Sequence, residues 1–272
     1  MKRFISRIIG KVFSVSFPKA IQLSLNRLFI RLSKIDLSEF NEISSYTSLQ
    51  EIFTRNLKKQ RIFSEVSGDV ISPADSKIVQ YGDIENGNLL KIKGITYSIK
   101  DLLTSNINDE NLRIMQMGKF INFYLSPRDY HHFHAPIDFY LQNIVHVPGD
   151  LFSVRESVAR KKKVFSINER VVMECVIGGN QLCYLIFVGA FGVGNIKIFK
   201  ESKLQTNSAK KNSPTLYKYT KPIFFKKGED IGCFNFGSSV VALFSGKIEF
   251  KENLLKKKVR FSDTIGSLII NK

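Results

Sequence analysis

Apolar and polar residues change their spacing along this chain, and the change falls near residue 60. Before it, Phe4, Ile5, Ile8, Ile9, Val12 and Phe13 form one apolar stripe, and after Pro18 a second runs through Ile21, Leu25, Leu28, Phe29 and Leu32. Recurrence at three and four residues predicts two amphipathic helices. Residues 36 to 60 are expected to continue as helix and linker, with Ser44-Ser45-Tyr46-Thr47-Ser48 capping a helix over Leu49 to Leu57. From about residue 66 the period shortens toward that of strands. Lys77 to Tyr81, Lys119 to Leu125, Val171 to Ile177, Gln181 to Val188, Asn195 to Phe199 and Val240 to Phe244 are short runs separated by Gly, Pro, Asn or Asp. Gly178-Gly179-Asn180 reads as a hairpin turn. Residues 201 to 221 lack clear periodicity and are read as a mobile loop. The expected fold is α+β: N-terminal amphipathic helices, then a mostly antiparallel β sandwich or barrel-like core. Residues 1–60 are expected to be the helical region, and 61–272 one domain.

Charge narrows the partners. Lys plus Arg number 41 against 24 Asp plus Glu, a formal charge of +17, which calls for an anionic partner. No zinc finger, helix-turn-helix or RNP-type aromatic motif accompanies it, so nucleic acid is not the expected partner. Residues 1 to 35 carry eight basic residues and no acidic one, on the same stretch as the two apolar stripes. Such helices suit the headgroup plane of an anionic membrane; the bland alternative is that the stripes pack on the protein's own core. No run of about 18 uninterrupted apolar residues is present, so the chain is expected to lie on a membrane. Arg7 and Lys11 interrupt any signal-peptide core, and the N-terminus is expected to be retained. Arg160-Lys161-Lys162-Lys163, and Lys256-Lys257-Lys258 with Arg260, are basic runs that suit solvent or phosphate headgroups.

The chemistry concentrates in two places. Three of the four histidines fall in Asp129-Tyr130-His131-His132-Phe133-His134, and histidine is the side chain that moves protons near neutrality. Far downstream, Gly237-Ser238-Ser239 precedes the apolar run Val240 to Phe244. Glycine tolerates a turn that exposes its carbonyl, and serine supplies an oxygen nucleophile once a base takes its proton. Gly266-Ser267 is a second Gly-Ser pair, but a cut there would release six residues, too few to anchor anything in a sheet. No Gly-x-Ser-x-Gly elbow surrounds Ser238, which argues against a conventional serine hydrolase. A metal site is not expected, because Cys175, Cys183 and Cys233 form no Cys-x-x-Cys pair and have no histidine nearby in sequence. They are read as free core thiols, with Cys175 and Cys183 facing each other across the hairpin.

The order of short motifs resembles the phosphatidylserine decarboxylases, a pyruvoyl-dependent, self-processing family. The match runs from Ser72-Pro73-Ala74-Asp75 through Lys93-Gly94-Ile95-Thr96-Tyr97-Ser98, Tyr124-Leu125-Ser126-Pro127-Arg128-Asp129-Tyr130-His131 and Val147-Pro148-Gly149-Asp150. It continues through Asn168-Glu169-Arg170-Val171, Val188-Gly189-Ala190 with Val193-Gly194, and Lys227-Gly228-Glu229, and reaches Phe236-Gly237-Ser238-Ser239. The chain departs from the family pattern at Ser76, where glycine is usual, and at Phe236 and Ser239, where leucine and threonine are commoner.

The resemblance implies that residues 61–272 are a pyruvoyl-dependent decarboxylase domain that cuts itself between Gly237 and Ser238. A β chain, 1–237, would then pair with an α chain, 238–272, whose N-terminal pyruvoyl group is the only cofactor. That group would form a Schiff base with the serine amine of phosphatidylserine, releasing CO2 and leaving phosphatidylethanolamine. The implied catalytic residues are Asp75, His134 and Ser238, a relay recognised by roles, with Asp129 and His131 as auxiliaries. The implied place is the cytoplasmic face of the cell membrane, as a peripheral protein, with a homodimer as a further candidate assembly. Two other readings remain open at this point: a noncatalytic β-sandwich module that binds anionic membrane surfaces, and a soluble pyruvoyl-dependent amino-acid decarboxylase.

Overall fold

The computed structural model describes residues 2–92, 95–104, 107–159, 162–192, 195–207, 213–235 and 238–268. Helices α1 (Lys2–Phe13), α2 (Lys19–Ser33) and α3 (Leu49–Phe53) come first. Pro18 starts α2, and Lys34, in the left-handed conformation, ends it. Ser48 caps α3 by accepting the Glu51 N–H, and the Glu51 carboxylate reaches back to Thr47, a reciprocal cap. The sequence predicts α3 through Leu57, but it stops at Phe53. Arg55 turns inward onto the Ile52, Arg128 and Asp129 carbonyls, and Leu57 bridges to Phe40 instead.

Strands follow in the order β1 (Asp69–Ile71), β2 (Ser76–Glu85), β3 (Asn88–Ile92), β4 (Ile95–Ser98), β5 (Lys119–Leu125), β6 (His132–His134), β7 (Phe139–Val147) and β8 (Arg170–Ile177). The series ends with β9 (Gln181–Val188), β10 (Ile196–Ile198), β11 (Thr215–Phe225), β12 (Asp230–Phe234), β13 (Ser238–Phe244), β14 (Ile248–Phe250), β15 (Lys258–Val259) and β16 (Thr264–Leu268). One large antiparallel sheet runs β11-β7-β8-β9-β13-β5-β2-β3-β4, with β15 also on β2. Its ends stay apart, so the barrel alternative does not form. Two small sheets, β10-β12-β6 and β1-β16-β14, cover one face. Helices α4 (Ile99–Leu103), α5 (Asp109–Met115), α6 (Glu156–Ala159) and α7 (Val164–Ile167) cover the other.

Strand alternation sorts the core into two halves. On β13, Val240, Ala242 and Phe244 face the small sheets, whereas Val241 and Leu243 face the helices. Neighbouring β9 divides the same way, with Cys183, Leu185 and Phe187 on the first face and Tyr184, Ile186 and Val188 on the second. Every residue of β13 is buried because β5 and β9 flank it and both faces are covered. The β8/β9 hairpin turns at Gly178–Asn180 as the sequence predicts, placing Cys175 opposite Cys183 as free buried thiols.

Part of the expected 201 to 221 loop is structured. Its C-terminal part enters β11, the edge strand against β7, where Tyr217 and Tyr219 alternate inward onto the core. Pro222 falls where the β11 register shifts between Lys218 and Ile223, and an edge strand tolerates proline because it has no second partner to feed.

The helices α1 and α2 show a different arrangement: polar residues take part of their inward face. Ser6, Gln22 and Asn26 are buried, with Asn26 donating to the Ile43 and Tyr46 carbonyls. Phe29 and Ile30 pack on Ile35, Tyr46 and Ile52, while Ile5, Ile8, Val12, Ile21, Leu28 and Leu32 are exposed.

The histidine strand β6 is seated on the large sheet by Phe133, whose ring lies 4.0 Å from that of fully buried Phe187. Phe187→Ala is expected to lower unfolding stability by about 3–5 kcal/mol, read from the urea midpoint. A change below about 1 kcal/mol would contradict this seating.

Candidate active site

Ser238 opens β13 opposite Leu125. Strand alternation turns its side chain to the face of Val240, which is the face covered by β6 and β12. Its hydroxyl is fully buried and has no hydrogen-bond partner among the described residues. Leaving such a group unpaired costs about 1–3 kcal/mol, so its placement asks for a purpose. Gly237 lies outside the described residues, as do Phe236, Lys93-Gly94, Val193-Gly194, Arg160-Lys161 and Lys210-Lys211.

The three histidines sit on or beside β6 in three different environments. His131 is fully buried against the Phe53 ring. Its Nδ1 faces the Asp129 carbonyl at 2.8 Å, an acceptor only, so Nδ1 carries the proton and Nε2 is left as a free base. Burial, with the nearby Arg55 charge, pushes this imidazole well below its ordinary pKa. Its own carbonyl accepts the Phe234 N–H, four residues before Ser238. His132 spans two oxygens, Asp230 Oδ2 at 2.7 Å and the Thr54 carbonyl at 3.2 Å, and stacks on Tyr130. It ties β6 to β12 and to the end of α3.

His134 places Nδ1 3.0 Å from the Gly228 carbonyl and accepts the Tyr130 hydroxyl at Nε2, 3.1 Å away. Burial pushes its pKa down to about 4, against the opposing charges of Asp230 and Asp75. Burial also pushes the Tyr130 phenol up, so it stays a donor. The turn at Gly228 has φ +80, and an added Cβ would lie 2.3 Å from the Phe63 ring. Glycine is required there, which explains its place in the Lys227-Gly228-Glu229 motif.

Asp75 follows β1 and faces Arg61 through two contacts, 2.5 Å to Nη1 and 3.0 Å to Nη2, and accepts the Phe261 N–H at 2.7 Å. Phe261 in turn stacks on His134 at 3.6 Å. Asp75 and His134 thus flank one aromatic residue, and neither hydrogen-bonds the other or Ser238. Arg61 also pairs with Glu39, which binds Arg260 as well. Asp129 accepts the Ser126 N–H and hydroxyl, both at 2.7 Å, holding the turn that leads from β5 to the histidines. Burial raises its carboxyl pKa, with the Ser126 hydrogen bonds opposing. Asp129 therefore supports His131 through the backbone carbonyl, and its carboxylate is spent on the turn.

Arg55, Arg61, Tyr130 and Phe261 shape this site and were not marked by the sequence. Tyr130 lay inside the histidine motif, where its aromatic neighbours were a usable signal. The two arginines meet partners scattered from residue 39 to residue 261 and leave no local pattern. Among the described residues, no group of three or more His, Cys, Asp and Glu is arranged to hold a metal ion.

Both buried imidazoles make stability depend on pH. In the unfolded chain histidine takes its proton near pH 6.5, whereas folded His134 does so near 4. Between those values the unfolded state binds more protons, so stability falls as pH drops through the window. His134 alone accounts for about 3 kcal/mol across it, and His131 adds a loss of the same sign. In an uncleaved Ser238→Ala background, urea midpoints from pH 7 to pH 5 are expected to fall less steeply once His134→Asn is added. An unchanged slope would contradict the neutral, buried ring.

The family model for phosphatidylserine decarboxylase matches residues 49–267. A phosphatidylserine decarboxylase proenzyme of Helicobacter pylori is 38% identical over 269 residues, 98% of this chain and 97% of that protein. Proenzymes of the same description from Campylobacter jejuni, 35% identical over 88% of both chains, and from Idiomarina loihiensis, 36% identical over 93% of this chain and 88% of that one, are similar too. With its buried serine and histidine strand inside the matched span, the chain belongs to the phosphatidylserine decarboxylase family.

Proposed function

We propose that this chain cuts itself between Gly237 and Ser238 and then converts phosphatidylserine to phosphatidylethanolamine and CO2 at a membrane surface. The observation that carries the reading is the Ser238 hydroxyl, buried and without a partner among the described residues, on the sheet face covered by β6, the strand that carries the histidines. In the self-cleavage, the Ser238 hydroxyl attacks the Gly237 carbonyl and the amide becomes an ester. Removal of the Ser238 Cα proton expels the Gly237 carboxylate, and the resulting dehydroalanine hydrolyses to a pyruvoyl group and ammonia. The products are a β chain of residues 1–237 and an α chain of 238–272. Ladder pairing of β13 with both β5 and β9 supports their staying together as a heterodimer.

Ser238 fits as the source of the prosthetic group, because a partnerless hydroxyl at the first residue of a fixed strand is free to be consumed. When formed, the pyruvoyl group supplies a carbonyl for the substrate amine and an electron sink for the departing carboxylate. For the cleavage, His134 is the base and Asp75 the charge that supports its protonated form. Their packing on either side of Phe261, and the Asp75 charge opposing the burial effect on His134, support these roles. Tyr130 must release Nε2 for this, and Arg61 must share Asp75. His131, with Nδ1 engaged and Nε2 an open acceptor, takes the proton that the substrate ammonium gives up as the Schiff base forms and returns it to the carbon that loses CO2.

The membrane reading rests on α1 and α2, where Ile5, Ile8, Val12, Ile21, Leu28 and Leu32 are exposed while Ser6, Gln22 and Asn26 face the body. No helix among the described residues is long and apolar enough to cross a bilayer. The exposed stripe with its basic flanks suits a peripheral position on an anionic leaflet, the cytoplasmic face being the proposed one.

Ser238→Ala is expected to remain one band on a denaturing gel and to release no CO2 from phosphatidylserine. His134→Ala should slow cleavage by about 10²-fold or more. His131→Gln should still cut, yet lose about 10²–10⁴ in decarboxylation. A His131 variant that stays intact beside a His134 variant that cuts would reverse these roles. Ile8→Glu with Leu28→Glu should reduce cosedimentation with anionic vesicles more than tenfold, since each exposed side chain gains about 1.5–3 kcal/mol on full burial in lipid. Undiminished binding would remove α1 and α2 as the lipid contact.

A further inference from the structure

Beneath α1 lies a cavity of about 300 Å³ bounded by Ser6, Arg7, Gly10, Lys11, Asn207 and Asn235 among others. Positions 6, 7, 10 and 11 form one face of the helix by their spacing. Ile5, Ile8 and Val12, on the opposite face, are exposed. The helix therefore stands between the proposed lipid surface and the cavity. It is clasped to the body by the Gly192 N–H, which donates to Ser6 Oγ at 3.1 Å.

The lining is polar in a specific way. Arg7 and Lys11 pair with no carboxylate among the described residues. The side-chain oxygens of Asn207 and Asn235 are buried and have no hydrogen-bond partner among the described residues. A Cβ built on Gly10 meets nothing within 4 Å, so this side of the helix faces open space. Asn235 is three residues before Ser238 in the chain, so the amide end of the cavity lies on the segment that leads to the reacting residue and the cationic end on the helix.

We infer that this cavity is the headgroup subsite, with Arg7 and Lys11 taking the phosphate and Asn207 and Asn235 taking the serine ammonium. This assignment rests on the reading of Ser238 as the catalytic centre and adds the residues that orient the substrate toward it. The volume is at the small end of ligand pockets, enough for a phosphoserine headgroup and too little for acyl chains. Those chains leave along the outer apolar face of α1. The cations lie on the lipid side and the amides on the reacting side, which presents the amine, and not the phosphate, to residue 238.

Binding of glycerophosphoserine to the uncut Ser238→Ala chain, measured by calorimetry, tests the subsite without calling on turnover. Arg7→Gln with Lys11→Gln is expected to weaken binding by tenfold or more, as loss of charge-assisted hydrogen bonds does. Gly10→Leu should do the same by filling the cavity. Asn207 has φ 56, so Asn207→Gly keeps its backbone while removing the amide. That variant should weaken glycerophosphoserine and leave glycerol phosphate unaffected. In the cleaving chain, the Arg7→Gln/Lys11→Gln and Gly10→Leu variants should process normally and show a raised KM for a short-chain phosphatidylserine kept below micelle formation. Equal affinity across all variants would overturn the subsite and leave the proposed chemistry standing. A wild-type chain that neither cuts nor releases CO2 would overturn the proposed chemistry itself.

Discussion

Burial of β13 between β5 and β9 is the constraint on which the rest of the molecule depends. A strand flanked on both edges and covered on both faces has no freedom to shift register, because a one-residue slip would exchange the two halves of the core. Val240, Ala242 and Phe244 belong to one half, and Val241 and Leu243 to the other. The first residue of that strand is thereby held in place although its hydroxyl gains nothing from the position. An unpaired buried hydroxyl is an expense that the surrounding ladder offsets.

The histidine strand depends on the same sheet. Phe133 fixes β6 against Phe187, and the flanking contacts then assign each ring a separate condition: His131 with a free nitrogen, His132 bound at both, His134 engaged by a glycine carbonyl and a phenol. Segments remote in sequence complete the site. Glu39 and Arg61 come from before β1, and Phe261 and Arg260 from after β15, and they converge on Asp75 and His134. A cut before Ser238 would leave Phe261 on the shorter product, so that product carries part of the environment of the histidine and is more than a carrier of its own N-terminus.

Much of this was readable from residue order. Val240 to Phe244 and the Gly178–Asn180 hairpin have apolar runs and turn residues that determine their form locally, and both helical stripes appeared where expected. The outward facing of Ile5, Ile8, Val12, Ile21, Leu28 and Leu32 within those stripes was not decided by periodicity, since an amphipathic pattern is the same whether it meets core or lipid; the buried Ser6, Gln22 and Asn26 decide it. Thr215–Phe225 was hidden by Pro222 and by a run of exposed polar residues, which an edge strand permits. The three-residue β6 is too short to show a period. Arg61 could not be foreseen as the partner of Asp75, and no spacing rule would have linked Phe261 to His134 across more than a hundred residues.

The central claim is that Ser238 becomes the N-terminus of a separate chain and loses its amino group in doing so. Intact mass measurement of the C-terminal fragment tests this most directly. The account predicts a peptide of residues 238–272 that is lighter than the encoded one by one ammonia and is refractory to Edman degradation. Active protein that yields only the continuous 272-residue chain, or a fragment beginning with an ordinary serine, would contradict it.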